Sequence, residues 1–238
     1  MSQTLQELIC RLVTANHILA HEGIVDAYGH VSVRHPLHKD RYLLSRSRSP
    51  ELVTADDIME FTLDGRPANG STAQPYLERF IHGALYEARP DVQSVIHSHA
   101  GEVLPFTICA TPLRCVLHVA SGMGETSPVW DIADEFGDTN LLVTDMAQGR
   151  SLARTLASNQ TVLMRGHGFT VGAPSLEDAV KAAVYMPLNA RVLLAAQQMG
   201  EVRALSAGEI RIRNEVKPDS PQMRRAWEYW EQRAAGKN

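Results

Sequence analysis

The segment Asp91-Val92-Gln93-Ser94-Val95-Ile96 runs directly into His97-Ser98-His99, and this junction constrains the fold more than any other part of the chain. A short apolar run reads as a buried strand, and here the strand ends on two imidazoles. Successive strand side chains alternate between faces, so His97 and His99 project the same way. Two neutral imidazoles on one face can share a divalent cation at about 2.0 to 2.1 Å each, and such a site needs at least one further protein ligand. Candidates lie on both sides: Glu78 in Tyr76-Leu77-Glu78-Arg79-Phe80-Ile81-His82, and His167 in Arg165-Gly166-His167-Gly168. By itself an HxH pair is a weak motif. Its weight depends on whether the rest of the chain brings those two residues to the end of the same strand.

The bulk properties set the frame. At 238 residues the chain fits one large domain, expected over 1–238 with a helical tail from about 216 to 238, and can bury a core without staples. A composition of 44% hydrophobic and 21% charged residues is that of an ordinary globular protein, and the net charge of -4 gives no support to a nucleic-acid partner. Cys10, Cys109 and Cys115 are odd in number, sit in apolar contexts and lack CxxC spacing, so they read as buried thiols. Met1 to Glu7 shows no basic region followed by an apolar stretch, and no run of eighteen apolar residues occurs. The expectation is a cytoplasmic chain with no membrane contact.

Apolar spacing predicts a helix over 3–22, strands over 28–34 and 41–45, a helix cap at Thr54, and a strand with a turn over 61–66. Pro75 suits the first turn of a helix running to Ala88 with Glu78 on it. A helix over 100–108, short strands over 115–119 and 140–144, a helix over 146–156 and a strand over 160–165 follow. Ser175 opens a long helix to about Met199 with an acidic first turn. Met223 to Trp230 reads as a helix whose aromatics Trp227, Tyr229 and Trp230 suit a subunit contact. Short strands among helices, without a regular βαβ rhythm, predict a mixed sheet covered by helices.

Glu78-x-x-x-His82, Ala88-Arg89-Pro90-Asp91, Val95-Ile96-His97-Ser98-His99-Ala100 and Gly166-His167-Gly168, in that order, resemble the class II aldolase/adducin family. Gly29-His30-Val31-Ser32 and Leu63-Asp64-Gly65 occupy matching places, and the likeness spans roughly residues 5 to 200. The resemblance implies a three-layer α/β/α fold around a mixed, largely antiparallel sheet, in a homotetramer with active sites at subunit interfaces. It also implies that His97, His99 and His167 hold one divalent ion, with Glu78 as a further ligand and as the acid/base group. Zinc suits such a set best, and manganese, cobalt or iron bind similar ones.

Departures from the family's sugar-phosphate aldolases carry the functional information. Those enzymes resemble Gly-Asn-hydrophobic-Ser, Thr-Pro-Thr-Gly and Ser-Ser-Glu at three phosphate-holding places. This chain has His30 after Gly29, the loop Ser45-Arg46-Ser47-Arg48-Ser49-Pro50, and Tyr76-Leu77 before Glu78. The replacements suit a flatter, less phosphate-like ligand, and they look like the branch that decarboxylates hydroxylated aromatic or pyridine carboxylates. Arg46, Ser47 and Arg48 are the expected carboxylate holders, since a guanidinium meets two carboxylate oxygens with a bidentate fork. Tyr76 is expected against the substrate, and Glu78 or His30 is expected to deliver the proton. Decarboxylation and aldol cleavage both break a carbon-carbon bond and leave an enolate-like anion on a metal, so an aldolase of a small aldol or sugar phosphate is the alternative. A non-catalytic module like the adducin head is a further one, disfavoured because the ligand set is intact. His82 shares a helical face with Glu78 and reads as a packed residue.

Overall fold

The computed structural model describes residues 4–68, 70–215 and 220–236. In chain order its elements are α1 (Leu5–His21), β1 (His30–Arg34), β2 (Arg41–Ser45), β3 (Ile58–Thr62), α2 (Arg79–Ala88), β4 (Ser94–Ser98), α3 (Pro105–Ile108), β5 (Val129–Trp130), α4 (Ala133–Phe136), α5 (Met146–Leu156), β6 (Thr161–Met164), β7 (Gly168–Ala173), α6 (Leu176–Met199), α7 (Ala207–Asn214) and α8 (Pro221–Ala234). The strands form one sheet of order β3-β2-β1-β4-β7-β6-β5. Every neighbouring pair is antiparallel except β5 with β6. The histidine strand is therefore central, flanked by β1 with His30 opposite His97 and by β7 with Thr170 opposite His97.

Strand alternation divides the core in two. Val31, Val33, Leu43, Ile96, Phe169 and Val171 face one way and are buried with α1 and α6. Tyr42, Leu44, Val95 and Val162 face the other, under α2 and α5. Helices on both faces explain why β1 is buried at all five positions where alternation predicts a half-exposed strand. Polar His30 and Ser32 go into the interior with it, and each must find a partner there. They fall on the face that carries Val95 and His97, toward α2.

Helix starts follow local chemistry. Thr4 and Glu7 form a reciprocal capping box on α1, Asp145 accepts from the Gln148 amide at the start of α5, and Ser175 accepts from the Asp178 amide at the start of α6. Side-chain oxygens at these caps satisfy amides that the helix leaves unpaired. By length and composition α6 resembles a membrane span, but Ala179, Val180, Ala183, Met186, Ala190 and Leu193 bury its apolar side against the sheet. Helix α2 is set by close backbone approaches. A Cβ at Gly83 would lie 2.1 Å from the Leu63 carbonyl oxygen, and one at Gly149 of α5 would lie 2.6 Å from that of Phe80. The absent side chains let α2 seat deeply, and the seat fixes the residue at its start.

The structure corrects several expectations. Pro75 bridges Arg46 in extended backbone and α2 begins at Arg79, leaving Glu78 at the N-cap position. Residues 101–104 form turns, and over 100–108 the helix is confined to α3. Where a strand is predicted over 115–119 a 3-10 helix runs from His118 to Met123, because Asn189 Oδ1 takes the Val116 and Leu117 amides that a strand would need for a ladder. Residues 140–144 form a loop, with Leu141 at φ 64°. Strands β5 and β7 and helix α7 have weak apolar periodicity and escape prediction. Cys10 and Cys109 are exposed, and Cys115 alone is a buried thiol. Trp227 and Trp230 are buried within this chain, with Arg11 over the Trp227 ring at 4.8 Å, so α8 packs on α1 with its own aromatics. Of the tail expected over 216–238, residues 216–219 and 237–238 lie outside the described residues, as does residue 3 of the first predicted helix.

Candidate metal centre

Three imidazole nitrogens converge at the end of β4. The Nε2 atoms of His97 and His99 are 2.8 Å apart, those of His97 and His167 3.2 Å, and those of His99 and His167 3.0 Å. His97 and His99 arrive from the strand end as alternation requires. His167 arrives from the tight turn between β6 and β7, where Gly166 takes φ 62° and donates its amide to the Thr107 hydroxyl at 3.0 Å. Gly168 must lack a side chain, since a Cβ would lie 2.1 Å from the Ser98 carbonyl oxygen and 3.1 Å from the His99 ring.

The donor set fits a divalent cation. His97 Nδ1 lies 3.1 Å from the Phe169 carbonyl oxygen, which can only accept, so Nδ1 carries the proton and Nε2 offers a lone pair. Burial first, and then the neighbouring His167 imidazole, push His97 well below the usual histidine range. His99 is lowered by the same two causes in the same order. Neutral imidazoles with converging nitrogens repel one another and have too few protons to bond around a single point. A cation bound by all three resolves that conflict. His167 Nδ1 is buried with no hydrogen-bond partner among the described residues.

Glu78 completes the set: one atom from each of Glu78, His97, His99 and His167 lies within 4.8 Å of the others. Its Oε2 is 3.6 Å from His97 Nε2 and 3.5 Å from His167 Nε2. Its Oε1 accepts the Val143 amide at 3.0 Å. The N-cap position leaves the carboxylate free of its own helix, which shows no side-chain capping bond from it. The Val143 amide is aimed by the loop in which Leu141 adopts its left-handed φ, a conformation that costs on the order of 1 kcal/mol in a residue with a side chain.

Beside this cluster His30 Nδ1 and His82 Nε2 are 2.6 Å apart, His82 Nδ1 and Ser32 Oγ 2.6 Å, and Ser32 Oγ and the Tyr86 hydroxyl 2.8 Å. Burial holds His82 down to about 3. Burial also lowers His30, helped by the neighbouring His82. His82, expected as packing on the helical face it shares with Glu78, is instead the hydrogen-bonded partner of His30, a contact that comes from β1. The Val143 amide and Phe169 carbonyl were likewise illegible, since backbone groups of a loop and a neighbouring strand carry no residue signature.

A profile of the class II aldolase and adducin N-terminal domain matches residues 10–194 of this sequence. The chain belongs to the class II aldolase and adducin family. Decarboxylase tropJ of Talaromyces stipitatus is 33% identical over 240 residues, covering 92% of this chain and 90% of that protein. The 3,4-dihydroxyphthalate decarboxylase of Arthrobacter keyseri is 28% identical over 184 residues, covering 73% and 72%. Among solved structures, an aldolase II superfamily protein from Pseudomonas syringae superposes with a TM-score of 0.81 at 19% identity over 99% of this chain and 95% of that one. An L-fuculose 1-phosphate aldolase gives 0.74 at 19% over 90% and 97%. These last two likenesses bear on the fold. The chain is an enzyme of the class II aldolase superfamily, a lyase, and carries a histidine and glutamate cluster of the kind that holds a metal.

In this family member a cavity of about 330 Å³ opens onto the cluster, walled by His30, Ser47, Arg48, Tyr76, Glu78 and His99 among others. A larger cavity of about 440 Å³ lies under α8, bordered by Lys181, Tyr185 and Trp230, and contains none of the four clustered residues. Of the expected substrate-holding residues, Ser47, Arg48 and Tyr76 line the smaller cavity. Arg46 instead meets Asp57 at 2.6 Å, which Arg48 also reaches at 3.3 Å. Asp57 is buried, which opposes its ionisation, yet bonds from the Thr54 amide and hydroxyl and from Arg46 hold its carboxyl down at about 2. The Tyr76 hydroxyl donates to the Arg48 carbonyl, and its ring packs 4.7 Å from that of His30.

Proposed function

We propose that the protein decarboxylates a hydroxylated aromatic or pyridine carboxylate, with one zinc ion per chain held by His97, His99, His167 and Glu78. The observation that carries this reading is the wall of the cavity beside the cluster: the imidazoles of His30 and His99, the phenol rings of Tyr28 and Tyr76, Leu77 and Leu142, with one arginine and the Glu78 carboxylate, a surface suited to a flat ring bearing a carboxylate. Its resemblance to two proteins named as decarboxylases supports the same reading. Bound zinc would supply Lewis-acid chemistry, binding a hydroxyl and the adjacent carboxylate of the substrate and accepting charge as carbon dioxide leaves.

This chain's residues supply the rest. Arg48 and Ser47 orient a carboxylate from the loop, while Arg46 and Asp57 brace that loop from behind. Tyr76 and His30 hold the plane of the ring. When the carbon-carbon bond breaks, its electron pair stays on the ring carbon, and a proton must replace the carboxyl group there. Glu78 carries it in this reading: its Oε2, free to leave the cluster, takes the proton that the substrate hydroxyl gives up on binding and hands it to that carbon, while Oε1 stays on the Val143 amide. The cleft's open side, with Tyr28 and Leu77 exposed, would be closed by another copy in a homotetramer, which sedimentation would show as about four chains.

The deciding experiment incubates the zinc-loaded protein with a panel of ortho-hydroxy aromatic acids, 3,4-dihydroxyphthalate included, and with a panel of aldols. Carbon dioxide release from the first panel supports the proposal. Aldehyde release from the second without carbon dioxide from the first would replace it with an aldolase.

A further inference from the structure

Four buried side chains settle which nitrogen of His30 carries its proton. The Tyr86 hydroxyl is buried in the α2 face, and among the described residues its one side-chain partner is Ser32 Oγ at 2.8 Å. The Val95 amide approaches the same phenolic oxygen as a donor. A buried hydroxyl hydrogen needs an acceptor, so Tyr86 donates to Ser32. The Ser32 hydroxyl then points its own hydrogen at His82 Nδ1, 2.6 Å away. With Nδ1 accepting, His82 carries its proton on Nε2 and donates it to His30 Nδ1 at 2.6 Å.

The reverse order, with the proton on His30 Nδ1, makes His82 donate to Ser32 and Ser32 donate to Tyr86. That order leaves the phenolic hydrogen with no acceptor among the described residues. His30 therefore has its proton on Nε2. His82 takes Nδ1, and the residue lines the cavity beside Glu78 and His99, so the Nε2 hydrogen finds its acceptor in what the cavity holds.

We propose that the Tyr86–Ser32–His82 chain locks His30 as its Nε2–H tautomer, so that His30 donates a hydrogen bond to a substrate oxygen and leaves proton delivery to Glu78. Giving up that proton would leave an anionic imidazole in a buried site, at a large desolvation cost. Accepting one on Nδ1 would require the whole chain to reverse. A neutral imidazole fixed in one tautomer stabilises negative charge on oxygen without exchanging a proton with it. Ser32 and His82 are positioning residues, and His30 is the group that touches substrate. The nature of the bound oxygen rests on the proposed decarboxylation; the tautomer does not.

Neutron diffraction from zinc-loaded crystals grown in deuterated solvent tests the lock directly. Deuterium on Nε2 of both His30 and His82, with none on His30 Nδ1, is the expected result. Deuterium on His30 Nδ1 would overturn the proposal whether or not the protein proves to be a decarboxylase, so the two readings fail separately. In kinetics on an ortho-hydroxy aromatic acid, His30→Gln keeps a donor near the Nε2 position and should hold kcat within about tenfold of wild type. His30→Phe removes the donor and should lose about 10²- to 10³-fold. A His30→Gln protein that binds zinc but is as slow as His30→Phe contradicts the donor role. Ser32→Ala should lower kcat about tenfold with KM little changed, and should cost much less in the His30→Gln background. An equal loss in both backgrounds would mean a purely structural role for Ser32.

Discussion

The backbone amide of Val143 holds one oxygen of Glu78 at 3.0 Å while the other faces the imidazoles of His97 and His167 at 3.6 and 3.5 Å. One carboxylate is thus anchored and available at once. Glu78→Gln retains an acceptor for Val143 but cannot carry a proton. It should keep its zinc, measured by elemental analysis, and lose roughly 10³-fold in kcat. A variant that retains full kcat would remove Glu78 from the proton path.

Gly168 and Gly83 separate site geometry from stability. At both, a Cβ would stand 2.1 Å from a backbone oxygen, that of Ser98 and that of Leu63 respectively. Alanine at either position should cost about 2 kcal/mol or more in urea unfolding, the usual cost of forced overpacking. Only Gly168→Ala also presses on the His99 ring, so it alone should weaken zinc affinity in a competition titration with a chelator. Equal zinc affinity in the two variants would mean that the Gly168 turn does not set the site.

Acid should destabilise the fold through its buried imidazoles. His82 is held neutral down to about 3 by burial, whereas in the unfolded chain it takes a proton near 6.5. The unfolded state therefore binds more protons between those values. Stability is fully present above about pH 6.5 and falls as pH drops toward 3, by roughly 1.4 kcal/mol per pH unit for this one residue. Comparing wild type with His82→Gln in urea at pH 7.5 and 5.5 isolates it. The wild type should lose about 1.4 kcal/mol more than the variant over that step, and equal losses would show that His82 does not stay neutral.

Asp57 braces the arginine loop, and Asp57→Asn removes the charge that Arg46 and Arg48 share. Arg48 then loses its fixed direction toward the cavity. KM for an aromatic acid should rise about tenfold with a smaller change in kcat, because uniform binding is lost while the proton path is untouched. A fall in kcat at constant KM would place Asp57 in the reaction itself.

The convergence of His97, His99 and His167 was legible because alternation at the first two, and glycines around the third, leave marks in the sequence. The caps at Thr54 and Ser175 were legible for the same local reason, as was the length of α6. What was not legible depends on distant chain. Residues 115–119 look like a strand until Asn189 takes their amides, and residues 140–144 look like one until Val143 is needed by Glu78. His82 reads as packing because the residues that give it a role, His30 and Ser32, lie about fifty positions away on another element. Arg46 and Arg48 look alike in sequence, and only the fold shows that Asp57 draws the first of them off the cavity wall.

A zinc-dependent decarboxylase must lose and regain its activity with the ion. The most direct measurement strips the protein of metal, adds zinc in steps, and follows carbon dioxide release from an ortho-hydroxy aromatic acid. Activity should rise linearly to one zinc per chain and then stop, and the His97→Ala, His99→Ala double variant should show none at any zinc level. Full carbon dioxide release by the metal-free protein would contradict this assignment.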